Sequence, residues 1–329
     1  MAALEESELK NKKICITGAS GFIGKNLVNK LIGKCDNIAV VTRKNTGQIP
    51  NGVEVFEFDL SEPSVNLDRF VDDCDIIFHC SAETKIEEKM QSTNVNGIKN
   101  LISSVLKSQK HRTKPLHWVQ LSSCGAYGPP LNVDSERIVT EVTATNPVNE
   151  YEKTKTEADN ILIKSFMAKK NISFSILRPS NVIGEGMKKG GLHKMASLIK
   201  KRTFFYAGKR GATATYVHLD DVTRALIVLA TDAQAKDEIF NLSSDCKLEE
   251  IVQIIAENNG MKSPSIYLPL KVVQLPVLLF NKIFGRFLSI PKVDLLALRT
   301  RYSSEKIEKI LGFHFSKPMP NGISDIKLD

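Results

Sequence analysis

Tyr151 and Lys155 stand four residues apart in 151-YEKTK-155. On a helix this spacing puts both side chains on one face, about 6 Å apart along the axis. A neighbouring ammonium favours phenolate and lowers a tyrosine from its ordinary pKa of about 10. A tyrosine tuned in this way passes a proton to or from a substrate oxygen near neutral pH. The same spacing recurs at Tyr302 and Lys306, and context separates the two copies. Tyr151 follows 120-QLSSCGAYGPP-130, at the end of the fifth candidate strand. A loop leaving the C-terminal edge of a parallel sheet is where ligands bind. Tyr302 has no strand-end serine ahead of it and reads as a surface helix turn.

The second chemical signal is 13-KICITGASGFIGKNLVNKLI-32. A buried strand runs into Gly18, Ala19, Ser20, Gly21, Phe22, Ile23 and Gly24, and an amphipathic helix follows. Gly18 permits the tight turn, Gly21 lets backbone N–H groups approach a pyrophosphate, and Gly24 lets the helix pack on the strand. The helix N-terminus then meets the phosphates with its positive end. The second strand ends in 38-IAVVTRKNTG-47, with Thr42 where an acidic residue would hold the ribose 2′-OH of NAD. Arg43 and Lys44 follow it and suit a 2′-phosphate. The expected cofactor is NADP(H), with NAD(H) as the alternative.

Short apolar runs alternate with helical patterns through the first 180 residues, and these elements must position the two signals. Strands are predicted over 13–17, 38–42, 53–58, 75–80, 116–122 and 172–178, and helices over 22–33, 92–110 and 149–170. Near-continuous apolar strands are covered on both faces, and the alternation implies a parallel sheet. The fold class is therefore α/β, a doubly wound parallel sheet of Rossmann type with a smaller, mainly helical C-terminal lobe. The dinucleotide domain is expected over 1–180 and 215–245, and the substrate lobe over 181–214 and 246–329. Asp220 and Asp221 are expected to cap a helix over 222–231.

Composition narrows the classes. Hydrophobic residues are 42% and charged residues 25%, which excludes wholesale disorder and a collagen-like fibre. The six cysteines form no CxxC pair, and the N-terminus MAALEESELKNKK lacks the basic start and apolar run of a secretory signal. A reduced, cytoplasmic protein is expected, with no metal site. The net charge is +8, and residues 261–329 supply much of it, with 11 Lys/Arg against 5 Asp/Glu. An anionic ligand such as a nucleotide fits this excess. Nucleic acid is not expected, because no recognition motif is present. The apolar stretch 265–290 is broken by Lys271, Pro276, Lys282 and Arg286, so it does not read as a membrane span. It reads as a lid or core helix, with peripheral docking on a membrane as the alternative.

The GxxGxxG turn, with the Tyr–Lys pair after the fifth strand, resembles the extended short-chain dehydrogenase/reductases, specifically the NAD-dependent epimerase/dehydratase group. The resemblance implies roles for further residues. Asp59 and Leu60 would lie beside the adenine, and Ser81 and Ala82, in 79-HCSAET-84, would line the cofactor. Asn94 would tie its helix to the central sheet. Ser123, four residues before Tyr127 and Gly128, takes the place of the catalytic Ser/Thr and donates to the substrate oxygen. Lys155 would bind the nicotinamide ribose. Asn181, in 178-RPSNVIGEG-186, would hold a nucleotide-sugar. His79, Cys124, His218 and Asp220 read as structural. Ala214 departs from the pattern, because many relatives carry a diphosphate-gripping arginine there. Lys209 and Arg210 are nearby cations.

What this implies is an NAD(P)-dependent oxidoreductase or epimerase of a nucleotide-diphosphate sugar, working by 4-keto reduction or epimerisation and forming a homodimer. Dehydratase activity fits less well, because Cys124 and Gly125 replace the acidic pair that follows the Ser/Thr in that subgroup. The alternatives are a reductase of an apolar ketone of steroid or flavonoid type, and a non-catalytic dinucleotide-binding protein.

Overall fold

The computed structural model describes residues 8–324 except 45, 46, 48, 134 and 275–295, together with 326 and 328. The central sheet contains β1 (Lys13–Thr17), β2 (Asn37–Thr42), β3 (Glu54–Glu57), β4 (Ile76–His79), β5 (Leu116–Leu121), β6 (Ile172–Pro179) and β7 (Glu238–Leu242). All seven run parallel in the order β7-β6-β5-β4-β1-β2-β3. The helices that position the site are α1 (Phe22–Leu31), α2 (Gly97–Ser108), α3 (Glu150–Phe166), α4 (Gly191–Lys200), α5 (Leu219–Thr231), α6 (Leu248–Asn258) and α7 (Glu305–Leu311).

Side-chain alternation divides the strands between two cores. Ile14, Ile16, Val40, Phe78 and Val119 face Leu27 of α1, Leu226 of α5 and Ile307 of α7. Cys15, Val41, Ile77, Trp118 and Ile176 face Leu101 and Val105 of α2 and Leu162 and Phe166 of α3. Covering both faces explains why these strands read as unbroken apolar runs. Helix α3 is polar overall and owes its seating to Ala158, Leu162 and Phe166, which recur every fourth residue. Its start is fixed by a capping box. Glu152 N donates to Asn149 Oδ1 at 2.9 Å, and Glu152 Oε2 accepts in return from Asn149 N at 3.4 Å and also from Val148 N at 2.9 Å. Such a cap contributes about 1 kcal/mol and sets the turn that carries Tyr151.

A third core joins Leu192, Met195 and Ile199 of α4 to Leu248, Ile251 and Ile255 of α6. Short strand pairs frame it. Asn181–Ile183 pairs with Tyr216–His218, Thr213–Ala214 with Cys246–Lys247, and Tyr206–Ala207 with Tyr267–Leu268.

Four local expectations are corrected. Residues 305–313 leave the smaller lobe, because Ile307, Leu311 and Phe313 pack into the sheet core. Tyr302 is no surface helix turn. It ends the strand Arg299–Tyr302, paired in parallel with Glu136–Val139, and its ring lies 6.4 Å from that of Tyr127. Helix α5 begins at Leu219, so its cap is His218, whose Nδ1 accepts from Asp220 N at 3.1 Å. The helix predicted over 92–110 opens with a π-helical turn at Gln91–Asn96 before α2. Of the apolar stretch 265–290, residues 275–290 lie outside the described residues. Among the described residues, no helix is long and apolar enough to cross a membrane.

The turn between β1 and α1 leaves no room for a side chain. A Cβ on Gly24 would stand 2.2 Å from the Gly18 carbonyl oxygen, whereas one on Gly191, at the start of α4, meets nothing within 4 Å. Gly24→Ala is expected to lower stability by about 1–3 kcal/mol, the usual cost of overpacking. Gly191→Ala should be neutral or stabilising through helix propensity. Thermal midpoints of the two variants measure the difference.

Candidate functional site

Strands β1 and β4 are neighbours, yet the chain leaves β1 in the opposite direction, towards β2. That reversal opens a crevice at the C-terminal ends of the strands, where open α/β sheets bind ligands. Gly18 lies at φ +71°, and a Cβ there would stand 2.7 Å from the Cys80 carbonyl and Ser81 N. Gly21 N donates to the Gly18 carbonyl at 2.9 Å and closes the turn. The N-terminus of α1 has no side-chain cap and no acidic residue in its first turn. Its N–H groups and positive dipole end are left for an anion. Ser20 and Gly21 are exposed at this turn, and Phe22 and Ile23 are half-buried.

The neighbouring strand ends complete the crevice. Thr17 Oγ1 lies 2.8 Å from His79 Nδ1 and accepts from Ser81 N at 3.2 Å. Burial, helped by the charge of Lys155, pushes His79 down to about 3, so it is a neutral core histidine. Ser81 and Ala82 are half-buried, and Leu60 is buried near Gly97 of α2. Burial alone would raise the Asp59 carboxyl. The hydrogen bonds from Ser61, with the Arg43 charge beyond them, outweigh it and hold Asp59 below the usual range. Glu83 is lowered in the same way, against burial, by the N–H groups of Lys85, Ile86 and Thr84 and by Arg43. The Arg43 charge thus reaches carboxylates beyond β3 and beyond β4. Asn94 does not grip the sheet itself. Its Oδ1 accepts from Glu83 N at 2.7 Å and its Nδ2 donates to Thr154 Oγ1 at 3.1 Å, so it joins the loop after β4 to α3.

Ser123 and Tyr151 meet beyond β5. Ser123 Oγ accepts from Gly125 N at 3.0 Å, and its hydroxyl is close enough to the Tyr151 phenol to act on its ionisation. Burial pushes Tyr151 up to about 12, the nearby Ser123 hydroxyl opposes this, and Asp159 and Glu152 add to it. The expectation that Lys155 lowers Tyr151 is not met. The ammonium is turned to β5, where Nζ donates to the Leu121 carbonyl at 2.6 Å. Burial lowers Lys155 itself, and the charge of Asp159 resists. Cys124 is buried, and its Sγ donates to the Arg178 carbonyl at 3.0 Å.

On the far side, Asn181 is exposed, with Nδ2 donating to the Thr215 carbonyl at 3.0 Å. Ala214 is buried, Lys209 is exposed, and the Arg210 guanidinium lies 4.9 Å from the centre of the Tyr267 ring. The residues that sequence reasoning passed over are Ser122, Asp159 and Arg178, a buried group behind Lys155. Their one visible signal was spacing, since 151, 155 and 159 form a single row along α3.

Comparison with known proteins finds relatives of the same fold. The model of the NAD dependent epimerase/dehydratase family matches residues 14–243. A UDP-glucose 4-epimerase of Vibrio cholerae is 21% identical over 286 residues, covering 84% of this chain and 83% of its own. A bifunctional dihydroflavonol 4-reductase/flavanone 4-reductase of Malus domestica is 24% identical over 289 residues, covering 80% and 79%. The crystal structure of UDP-glucuronic acid 4-epimerase from Bacillus cereus, in complex with NAD, superposes with a TM-score of 0.70 at 17% identity, over 95% of this chain and 96% of that one.

Tyr151→Phe keeps the ring and deletes the proton. Turnover is expected to fall by about 10²–10⁴-fold, the usual contribution of a general acid–base group. Dinucleotide affinity, read by fluorescence titration, should be retained. Tyr302→Phe should leave turnover intact. Equal losses in the two variants would place the site elsewhere.

Proposed function

The chain belongs to the NAD dependent epimerase/dehydratase family, and on that premise we propose that it is an enzyme that moves hydride between a dinucleotide and a sugar carbon of a nucleotide-diphosphate sugar. The reaction is a 4-keto reduction or an epimerisation. The observation that carries this reading is the gathering of Ser123 and Tyr151 beyond β5, with Lys155 one turn further along α3 and its Nζ on the Leu121 carbonyl.

The residues present fit a dinucleotide. Gly18 and Gly24 form a cradle that a Cβ would fill, and α1 offers an uncapped N-terminus. In this proposal Gly18, Ser20, Gly21, Phe22, Ile23 and Gly24 hold the pyrophosphate. Asp59 and Leu60 flank the adenine, Ser81 and Ala82 line the cleft, and Lys155 binds the nicotinamide ribose. The bound nicotinamide supplies or accepts hydride. The Tyr151 phenol, kept protonated at neutral pH by its burial, gives its proton to the oxygen that gains charge as a carbonyl is reduced. In the reverse direction it takes that proton back. The Ser123 hydroxyl donates to the same oxygen and holds the carbonyl in place. Asn181 and the lobe of residues 181–214 and 246–329, without 305–313, would bind the nucleotide-sugar.

A second reading, reduction of an apolar ketone, is favoured by Ala214, which offers no charge to a diphosphate. NADP(H) is the proposed cofactor, because Arg43 and Lys44 stand where NAD sites carry an acid. The Bacillus cereus structure holds NAD. All six cysteines are free thiols, which supports a reducing, cytoplasmic setting. The outer faces of α2 and α3 carry exposed Lys99, Ser103, Lys107, Lys153, Glu157 and Lys164. A homodimer built on those helices would therefore have a polar interface.

Two measurements test the reading. NADP(H) is expected to bind more tightly than NAD(H), and Arg43→Ala should weaken NADP(H) selectively; equal wild-type affinities would overturn the cofactor assignment. A UDP-, GDP- or dTDP-sugar should raise the thermal midpoint, since a ligand at 100 times its Kd adds about 2.7 kcal/mol. Asn181→Ala should remove much of that gain. A midpoint raised only by an apolar ketone would favour the second reading.

A further inference from the structure

Behind the catalytic face lies a carboxylate that none of these steps uses. Asp159 is fully buried on α3, one turn beyond Lys155 and two beyond Tyr151. Its Oδ2 accepts from Ser122 Oγ at 2.7 Å and from Arg178 Nε and Nη2 at 3.2 and 3.1 Å. Its Oδ1 is buried with no hydrogen-bond partner among the described residues. The clamp is rigid on both sides. Ser122 continues β5 directly into Ser123, and Arg178 lies on β6 with its guanidinium 5.1 Å from the centre of the Tyr127 ring. An oxygen held this firmly without a partner is costly to bury, and its field acts on whatever charge lies near it.

That charge is Lys155, also buried, with Nζ on the Leu121 carbonyl. A neutral carbonyl does not repay the burial of an ammonium. The titratable groups around Lys155 are His79 and Cys80 at the end of β4 and Tyr151 and Asp159 on its own helix, with Ser122 and Arg178 bound to Asp159. His79 is neutral, and burial pushes the Cys80 thiol up to about 12, so neither carries charge at neutral pH. Asp159 supplies the negative charge that favours protonated Lys155. We propose that Asp159 is a positioning residue of the Ser123–Tyr151–Lys155 site: clamped by Ser122 and Arg178 one helical turn from Lys155, its carboxylate keeps the buried ammonium charged while the Leu121 carbonyl holds it. The catalytic consequence rests on the function proposed above, but the state of Lys155 does not.

The experiment reads Lys155 directly. The full chain is labelled with 15N-lysine, the Lys155 side-chain resonance is assigned by its loss in Lys155→Met, and its titration is followed by NMR. In Asp159→Asn the Lys155 midpoint should fall by about one pH unit or more, the size of effect expected of a nearby opposite charge. Asp159→Glu should restore most of it, and dinucleotide affinity should become pH-dependent in the Asn variant alone. Asp159→Asn leaves Arg178 buried without its partner and can unfold the chain. The double variant Asp159→Asn/Arg178→Gln removes both charges, and its Lys155 midpoint should show the same fall when compared with Arg178→Gln alone, which keeps the carboxylate. An unchanged Lys155 midpoint in a folded single or double variant overturns the proposal, whichever substrate the enzyme proves to use. Loss of turnover on nucleotide-sugars with the Lys155 shift intact would instead count against the proposed function.

Discussion

The bond from Lys155 Nζ to the Leu121 carbonyl is the contact on which the arrangement of the site depends. It joins the second turn of α3 to the last residue of β5 in the interior, where an unsatisfied ammonium is heavily penalised. One residue of slip along the helix would swing Lys155 away by about 100° and abandon it. The bond therefore sets the register of α3 on the sheet. With that register, Tyr151 one turn earlier meets Ser123 two residues beyond the strand. The capping box at Asn149 and Glu152 fixes the same turn from its other end, so the phenol is held between two constraints rather than by its own packing.

The electrostatics of the site run against the simplest reading of a Tyr–Lys pair. Burial dominates both residues: it raises Tyr151 and lowers Lys155, so each is pushed towards its neutral form. Asp159 favours protonation of both. The nearby Ser123 hydroxyl is the one contribution that favours phenolate. A site built this way stores a proton on Tyr151 at neutral pH and is biased towards donating it. Gly125 N occupies a lone pair of Ser123 Oγ and so helps aim the hydroxyl.

Much of this was legible in the sequence because the relevant physics is local. Strands buried on both faces leave unbroken apolar runs, and all six predicted runs are strands of the sheet, within a residue or two at each end. The glycine turn was legible because only glycine tolerates the close approach to Cys80 and Ser81. What the sequence hid is non-local. Tyr302 looked like a helix residue, and only its pairing partner Glu136–Val139, far away in the chain, makes it a strand. The return of 305–313 to the sheet core rests on Ile307, Leu311 and Phe313, too few to reveal which core they join. The Tyr–Lys spacing was readable, but the direction of the ammonium was not. A strand carbonyl and a buried carboxylate decide it, and neither belongs to the motif.

Cofactor choice is also a competition between charges. Arg43 and Lys44 favour a 2′-phosphate, but the Arg43 charge already acts on Asp59 and Glu83. Those carboxylates are held ionised by hydrogen bonds of their own, from Ser61 in one case and from three backbone N–H groups in the other. They do not need Arg43 to remain charged, so the guanidinium can turn to a phosphate without leaving an unsatisfied anion behind. The cost of that turn is the Coulomb attraction it gives up near the surface, where each exposed pair contributes only about 0–1 kcal/mol. A phosphate, with its larger charge and two oxygens that a planar guanidinium can bind together, offers more than that. The proposed preference for the phosphorylated dinucleotide therefore rests on the independence of Asp59 and Glu83, and not on the number of cations at the end of β2.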